Sequence, residues 1–514
     1  MAVGFVYLVG AGPGDPGCLT LRGRECLERA DVVIYDYLAN AALLDHAPRG
    51  AERIFAGKHG AGPHLLEQAE INSLMIERAN AGQTVVRLKG GDPLVFGRGG
   101  EEVEALAERG VPFEVVPGVS AALAAPAFAG IPVTHRDWVS GVTVLTGHEA
   151  SDKRASRVDW QRVANAGNTL VLLMGYTQLR QNIARLIAEG LSPSTPAAAI
   201  QWASRFDQRV VEATVGTVAE RVAGEGLGPP MTVVIGEVVR LREAMAWFES
   251  RPLFGRRVLV TRAAAQAPAF ARRLEEQGAG VVSCPVIEIR PLAPSMPQLK
   301  RAFAALGDYD WLIFTSTNGV EIFFNQLFSS GYDLRALHRV RLAAIGSETS
   351  RALRDLHLHA DVVPQDFRAE GLLEAMAGED LRGARVLLPR ARGARAVLPD
   401  TLRDRGAHVE EIQTYESVAP AGGADLLRDA FAAGVLDCIT FTSSSTVTSF
   451  LELLDRAGGE ELRAHLAESR IACIGPITEA TARESGLSVD IVPEQYTIPA
   501  LVEAIVYALG SEDS

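Results

Sequence analysis

The chain has 514 residues, 47% of them apolar, and a formal net charge of −13. That length exceeds what one hydrophobic core serves and implies two or three domains. The acidic balance argues against a nucleic-acid or anionic-membrane partner, no apolar run approaches the roughly 20 residues of a bilayer span, and residues 1–10 lack the basic start of a secretion signal, so a cytoplasmic enzyme is expected.

In chain order, Val6-Tyr7-Leu8-Val9 reads as a buried strand entering the glycine loop Gly10-Ala11-Gly12-Pro13-Gly14-Asp15-Pro16, with a helical stretch through Ala30. Pro13 and Pro16 remove amides that a pyrophosphate would use, which disfavours a dinucleotide site. A second strand over residues 31–38 contains Asp36, and Gly57-Lys58-His59-Gly60 follows. Residues 85–102 are the most informative run: an apolar strand, the turn Gly90-Gly91-Asp92, then a glycine-spaced segment carrying Arg98. Paired glycines let backbone approach a ligand closely, and strand ends in open α/β sheets collect functional groups. Further blocks are 116–121, 130–136, 146–148, 173–175 and 233–239. Five cysteines, Cys18, Cys26, Cys284, Cys438 and Cys473, show no Cys-x-x-Cys pattern and read as core residues, neither disulfides nor metal ligands.

A new strand starts at Arg257, and the chain then repeats itself at an offset near 128. Val258-Leu259-Val260 parallels Val386-Leu387-Leu388, Phe314-Thr315-Ser316 parallels Phe441-Thr442-Ser443, and Val362-Val363-Pro364 parallels Ile491-Val492-Pro493. Helical stretches over 267–277, 396–405 and 500–509 alternate with short strands, so two similar α/β lobes with parallel sheets are predicted. Hydroxyls at Thr315, Ser316 and Ser443 follow strands and precede helices, where they can cap the helix or bind an anion.

With these blocks in view, residues 6–247 resemble the uroporphyrinogen-III C-methyltransferases of the tetrapyrrole methylase family. The resemblance implies a two-lobed methylase fold over 1–248, a linker at 249–254, S-adenosylmethionine as methyl donor with S-adenosylhomocysteine as product, and no metal. Pro13, Gly90, Gly91, Asp92, Val95, Ser120, Ala121, Met174 and Ala203 match the family's cofactor positions, and Asp36 and Lys58 match its proton acceptor and donor. Ser120 replaces a common threonine, and Gln201-Trp202-Ala203-Ser204 replaces a frequent Asn-Gly-Thr turn. A polycarboxylate substrate needs local cations, for which Arg87, Lys89, Arg98, His135 and Arg136, with Lys58 and His148, are candidates.

Residues 253–509 resemble uroporphyrinogen-III synthase, which implies a bilobal domain over 255–510. One lobe would comprise 255–290 and 416–510, the other 291–415, with two crossing strands between them. Tyr415 matches the family's sensitive tyrosine, and Thr349, Ser443 and Thr478 match polar cleft positions. Together the halves imply cyclisation of hydroxymethylbilane with ring D inversion to uroporphyrinogen III, then methylation at C2 and C7 to precorrin-2. A homodimer through the methyltransferase half is the expected assembly. Alternative readings are a methyltransferase with a degenerate synthase half, an NAD-dependent dehydrogenase with Asp36 on the ribose, or a non-catalytic tetrapyrrole carrier. The dehydrogenase segment of some related multifunctional enzymes is not in the sequence, so oxidation to sirohydrochlorin is expected to need another protein.

Overall fold

A computed structural model describes residues 3–57, 66–148 and 158–510. The chain divides into two compact units, Met1–Gly255 with Gln277–Gly280, and Arg256–Glu276 with Val281–Ser514. Among the described residues no helix is long and apolar enough to cross a membrane, and no group of three or more His, Cys, Asp or Glu side chains stands ready to hold a metal ion.

The first unit contains two sheets. Strands β1 (Phe5–Gly10), β2 (Val32–Tyr35), β3 (Glu52–Phe55), β4 (Thr84–Lys89) and β5 (Phe113–Val116) align in the order β3-β2-β4-β1-β5, and every pairing is parallel. Parallel sheets are covered on both faces, which is why these strands are apolar almost throughout. Alternate side chains go to opposite layers. Val6, Leu8, Ile34 and Val85 pack with Ile71, Met75 and Leu106 on one face, while Val9, Val33 and Leu88 pack with Leu27 and Leu43 on the other.

The second sheet of this unit holds β6 (Val142–Thr146), β7 (Thr169–Leu173), β8 (Pro196–Gln201), β9 (Arg209–Thr214) and β10 (Met231–Ile235), ordered β6-β7-β10-β8-β9. It is mixed: β6 and β7 are parallel, and the remaining pairs are antiparallel. The helix Ala121–Phe128 links the two sheets, because Ala121 and Ala122 pack against Val171 and Leu173 of β7.

The second unit runs through β11 (Arg257–Val260), β12 (Gly280–Ser283), β13 (Glu288–Pro291), β14 (Trp311–Phe314), β15 (Arg341–Ala344), β16 (Arg385–Ala391), β17 (His408–Val418), β18 (Cys438–Phe441) and β19 (Arg470–Cys473). Two sheets result, β12-β11-β18-β19 and β13-β17-β16-β14-β15. The antiparallel pair β13 and β17, with Glu288 opposite Val418 and Pro291 opposite Tyr415, carries the chain between the lobes. Parallel pairing elsewhere follows from the crossover helices.

The internal repeat survives in detail. Phe314 stacks edge-on against Phe323, and Phe441 against Phe450, in the two cores. Asp361 accepts from the Leu342 amide at 2.7 Å, and Asp490 from the Ile471 amide at 2.8 Å. Val362 and Ile491, matched by the repeat, form single parallel bridges to Ala343 and Ala472. The prolines that follow them limit further pairing.

Candidate active sites

In the first unit the loops after β1, β4 and β5 meet at the carboxyl edge of the parallel sheet. Gly91 donates to the Gly12 carbonyl at 2.7 Å and accepts from the Gly12 amide at 3.2 Å, while Ala11 donates to the Lys89 carbonyl at 2.7 Å. The contact is possible only without side chains. A Cβ on Gly10 would lie 2.5 Å from the Gly118 Cα, and a Cβ on Gly118 would lie 2.2 Å from the Gly91 oxygen. Asp92 locks the junction, accepting from the Gly118 amide at 3.0 Å and the Leu94 amide at 2.8 Å. Gly91 itself has φ +68°, and a Cβ there would meet nothing closer than the Ala121 nitrogen at 3.7 Å. The turn at Gly91 thus lies in ordinary contact with Ala121 and with the Ser120 Cα, 3.9 Å from where that Cβ would stand, so its positive φ, and not crowding, is what calls for glycine.

Ser120 caps the helix Ala121–Phe128, its hydroxyl accepting from the Ala122 amide at 3.2 Å. Ala203 reaches the first loop from the second sheet. Its carbonyl lies 3.3 Å from where a Gly14 Cβ would stand, and Ser204 accepts from the Asp15 amide at 2.9 Å. Met174, at the end of β7, holds φ +55° and is 51% exposed. That left-handed backbone is costly for a side chain and is a feature of functional turns.

Asp36 follows β2, and its carboxylate receives the Gly90 amide and Arg87 Nη2, each at 3.4 Å. Arg87 and Lys89 are both buried on β4 and converge on Glu102, which is fully buried. Desolvation holds the Lys89 ammonium below its usual pKa, with neighbouring Arg87 acting in the same direction.

In the second unit the Tyr415 hydroxyl and Ser316 hydroxyl share a hydrogen bond of 2.7 Å, and Ser316 accepts from the Gly319 amide at 3.0 Å to cap the helix Thr317–Ser329. Tyr415 is buried, which raises its pKa above the ordinary 10.0 and keeps it a proton donor. Gln266 reaches from the first lobe, donating to Asn318 Oδ1 at 2.7 Å, and its own carbonyl accepts from Arg262 Nη2 at 3.1 Å. On that same first lobe Ser443 caps the helix Ser444–Ala457 in a capping box with Thr446. Ser444 in turn bonds Thr481 at 2.7 Å.

Residues 6–219 match the family model of tetrapyrrole (corrin/porphyrin) methylases, and residues 268–503 match that of uroporphyrinogen-III synthase HemD. A porphyrin biosynthesis protein HemD from Ruminiclostridium josui is 36% identical over 98% of this chain and 98% of its own length. The chain belongs to both families. It joins a uroporphyrinogen-III C-methyltransferase to a uroporphyrinogen-III synthase, two enzymes of tetrapyrrole biosynthesis. A uroporphyrinogen-III C-methyltransferase from Bacillus subtilis (strain 168) is 40% identical over 69% of the chain and 72% of its own length. An S-adenosyl-L-methionine-dependent uroporphyrinogen III methyltransferase from Methanosarcina barkeri is 48% identical over 47% of the chain and 94% of its own length.

In the methyltransferase half the structure brings Gly91 and Asp92 against the Gly118–Ala121 segment, with Gly90 bonded to Asp36, while Pro13 lies in the loop between Gly12 and Gly14 and Ala203 meets that loop at Gly14. Val95 lies exposed in the loop that continues from Asp92. The Asp92 carboxylate is spent on backbone amides, so its part is to shape the loops. Two expectations are corrected: Arg87 and Lys89 are not outward clamps for substrate carboxylates, being 4% and 3% exposed and ion-paired with Glu102. Arg98 and Arg136 are exposed, the former paired with Glu101 at 2.7 Å. His135 is half-buried at a bridge to Val139, its ring edge-on to Trp138. Lys58 lies outside the described residues.

In the synthase half Tyr415 and Ser316 come together, whereas Ser443 makes its bonds within its own lobe. Thr315 follows β14 in the bend that leads to Ser316. Thr349 and Thr478 are buried in the first turns of the helices Ser347–Asp355 and Pro476–Glu484. Glu102 and Gln266 do not stand out in the sequence, and Asn318 does so only as part of the polar run 315–319 that can cap a helix or bind an anion. Glu102 left a faint signal, as the second member of a Glu-Glu pair opening a helix. The pairing of Gln266 with Asn318 left none, since the two are 52 residues apart. The cysteines Cys26, Cys284, Cys438 and Cys473 are buried thiols, with burial pushing Cys284 and Cys473 up to about 12, while Cys18 is half-buried.

Proposed function

We propose that the synthase half closes hydroxymethylbilane to uroporphyrinogen III with inversion of ring D, and that the methyltransferase half then methylates C2 and C7 to give precorrin-2. The observation that carries the methylation reading is the meeting of the three glycine-bearing loops at Gly10, Gly91 and Gly118 beside Asp36. S-adenosylmethionine, when bound there, supplies an electrophilic methyl on a sulfonium. Gly90, Gly91, Ser120, Ala121 and Ala203 would hold it with backbone groups, and Pro13, Val95 and Met174 would border it. Asp36 takes the proton released as the pyrrole carbon is methylated, so that methyl cation gained and proton lost balance, and Lys58 stands at the family's proton-donor position; alignment of carbon and methyl contributes most of the rate.

Arg98, His135 and Arg136 meet the substrate carboxylates from the exposed loops. The first loop does not suit a dinucleotide, because Thr20 already caps the helix Leu21–Glu28 through the Gly23 amide. In the synthase half the protonated Tyr415 assists loss of the bilane hydroxyl as water, while Thr315, Ser316, Thr349, Ser443 and Thr478 border the cleft that holds the terminal rings in a productive pose. The methyltransferase half forms a homodimer, a reading supported by exposed Leu94, Phe96, Leu123 and Trp138 on that unit. The working compartment is the cytoplasm, and residues 1–248 and 255–510 are the functional domains. Preformed uroporphyrinogen III supplied with methyl-labelled S-adenosylmethionine tests the first reaction: two labelled methyls on each product support it, and none overturns it.

A further inference from the structure

Beneath Asp36 lies a buried network whose cost stability does not explain. Arg87 and Lys89 stand two residues apart on β4, so both face the helix Gly99–Glu108. Glu102 on that helix is 0% exposed, and its Oε1 accepts from Lys89 Nζ at 2.8 Å, Gln68 Nε2 at 3.1 Å and Arg87 Nε at 3.2 Å. Its Oε2 is buried with no partner among the described residues. Apolar residues of similar size usually serve stability as well as such a buried ion network, so its presence beside a reaction site points to function.

The geometry gives Arg87 a double role. Nε is held by Glu102, while Nη1 donates to the Ile34 carbonyl at 3.4 Å and the Leu88 carbonyl at 3.3 Å, which fixes the guanidinium plane. Nη2 is then aimed at Asp36 Oδ2, 3.4 Å away. The other Asp36 oxygen faces the Gly90 amide. Two cations and two carboxylates balance, with Arg87 as the bridge between the buried and the quarter-exposed acid.

We propose that Arg87 is a positioning residue for methyl transfer, held by Glu102 and Lys89 so that it sets the orientation of the Asp36 carboxylate. The inference rests on the reading of Asp36 as proton acceptor. A planar fork with donors in fixed directions can hold one carboxylate while orienting another, with a directional control that the rotating donors of an ammonium lack.

The test is a double-mutant cycle in the full chain, with Asp36→Asn, Arg87→Met, Glu102→Gln and the doubles with Asp36→Asn. Methylation of preformed uroporphyrinogen III is measured as kcat and KM, and cyclisation in the same preparation reports the other half. Arg87→Met and Glu102→Gln should each lower kcat roughly tenfold, with KM for S-adenosylmethionine changed less than about twofold. Each double should be no slower than Asp36→Asn alone. Losses that multiply, or single variants with normal kcat, overturn the inference while a slow Asp36→Asn leaves the acceptor reading standing. A fully active Asp36→Asn overturns the acceptor reading itself, and the inference with it. Should Arg87→Met fail to fold, the near-isosteric Glu102→Gln and its double decide the matter by the same criteria.

Discussion

Gly118→Ala probes the loop junction more sharply than any cofactor-facing substitution, because the added methyl meets backbone alone. Its Cβ would lie 2.2 Å from the Gly91 oxygen, 2.6 Å from the Gly10 Cα and 2.8 Å from the Gly10 carbonyl carbon. Relief to an ordinary contact demands that the β5 loop or its two neighbours move by about 1 Å or more. Overpacking of that kind costs roughly 1–3 kcal/mol, which for a unit of this size lowers its Tm by about 2–12 °C. The functional loss should be larger, since a 1 Å misplacement of reacting groups costs on the order of 10²-fold in rate. Titration calorimetry with S-adenosylhomocysteine and a methylation assay read both effects, with cyclisation as the control. A variant that binds within about twofold of the parent and methylates at the parental rate would refute the loop junction as the cofactor site.

Asp92→Ala removes the acceptor for the Gly118 and Leu94 amides; methylation should be lost while cyclisation persists, measured on the same preparation. Tyr415→Phe should do the reverse, slowing cyclisation by up to about 10²-fold and costing roughly 0.5–1.5 kcal/mol through the lost bond to Ser316. Burial raises the Tyr415 pKa, so the folded chain keeps that proton longer than the unfolded one. Its contribution to stability is therefore intact below pH 10.0 and declines as pH rises through the higher folded value, and the cyclisation rate should show no alkaline loss from Tyr415 below pH 10.0. An alkaline limb below that pH that vanishes in Tyr415→Phe would contradict this.

Much of the fold is legible in the residues because each local signal agrees with the next. The apolar runs of β1 and β4 lead straight into glycine loops, and the repeat in the second half reappears as paired caps at Ser316 and Ser443. Helices expected at 267–277, 396–405 and 500–509 occur at Ala267–Glu276, Val397–Asp404 and Ile498–Gly510. Arg87 and Lys89 mislead for a physical reason. Alternating cations on a strand read as a solvent-facing row, and nothing nearby shows that Glu102, on the next helix, will cover and neutralise them. At Asp92, an acid after two glycines gives no sign that the partners of its carboxylate include an amide 26 residues on. The bond between Tyr415 and Ser316 joins residues 99 apart, and only the β14, β16, β17 sheet order explains it.

The most direct test of two coupled activities in one chain is incubation of the purified protein with hydroxymethylbilane, with and without S-adenosylmethionine, followed by chromatography and mass of the oxidised products. The account predicts the type III isomer without cofactor and a dimethylated product with it. Type I isomer alone, or no methylation even from preformed uroporphyrinogen III, would contradict it.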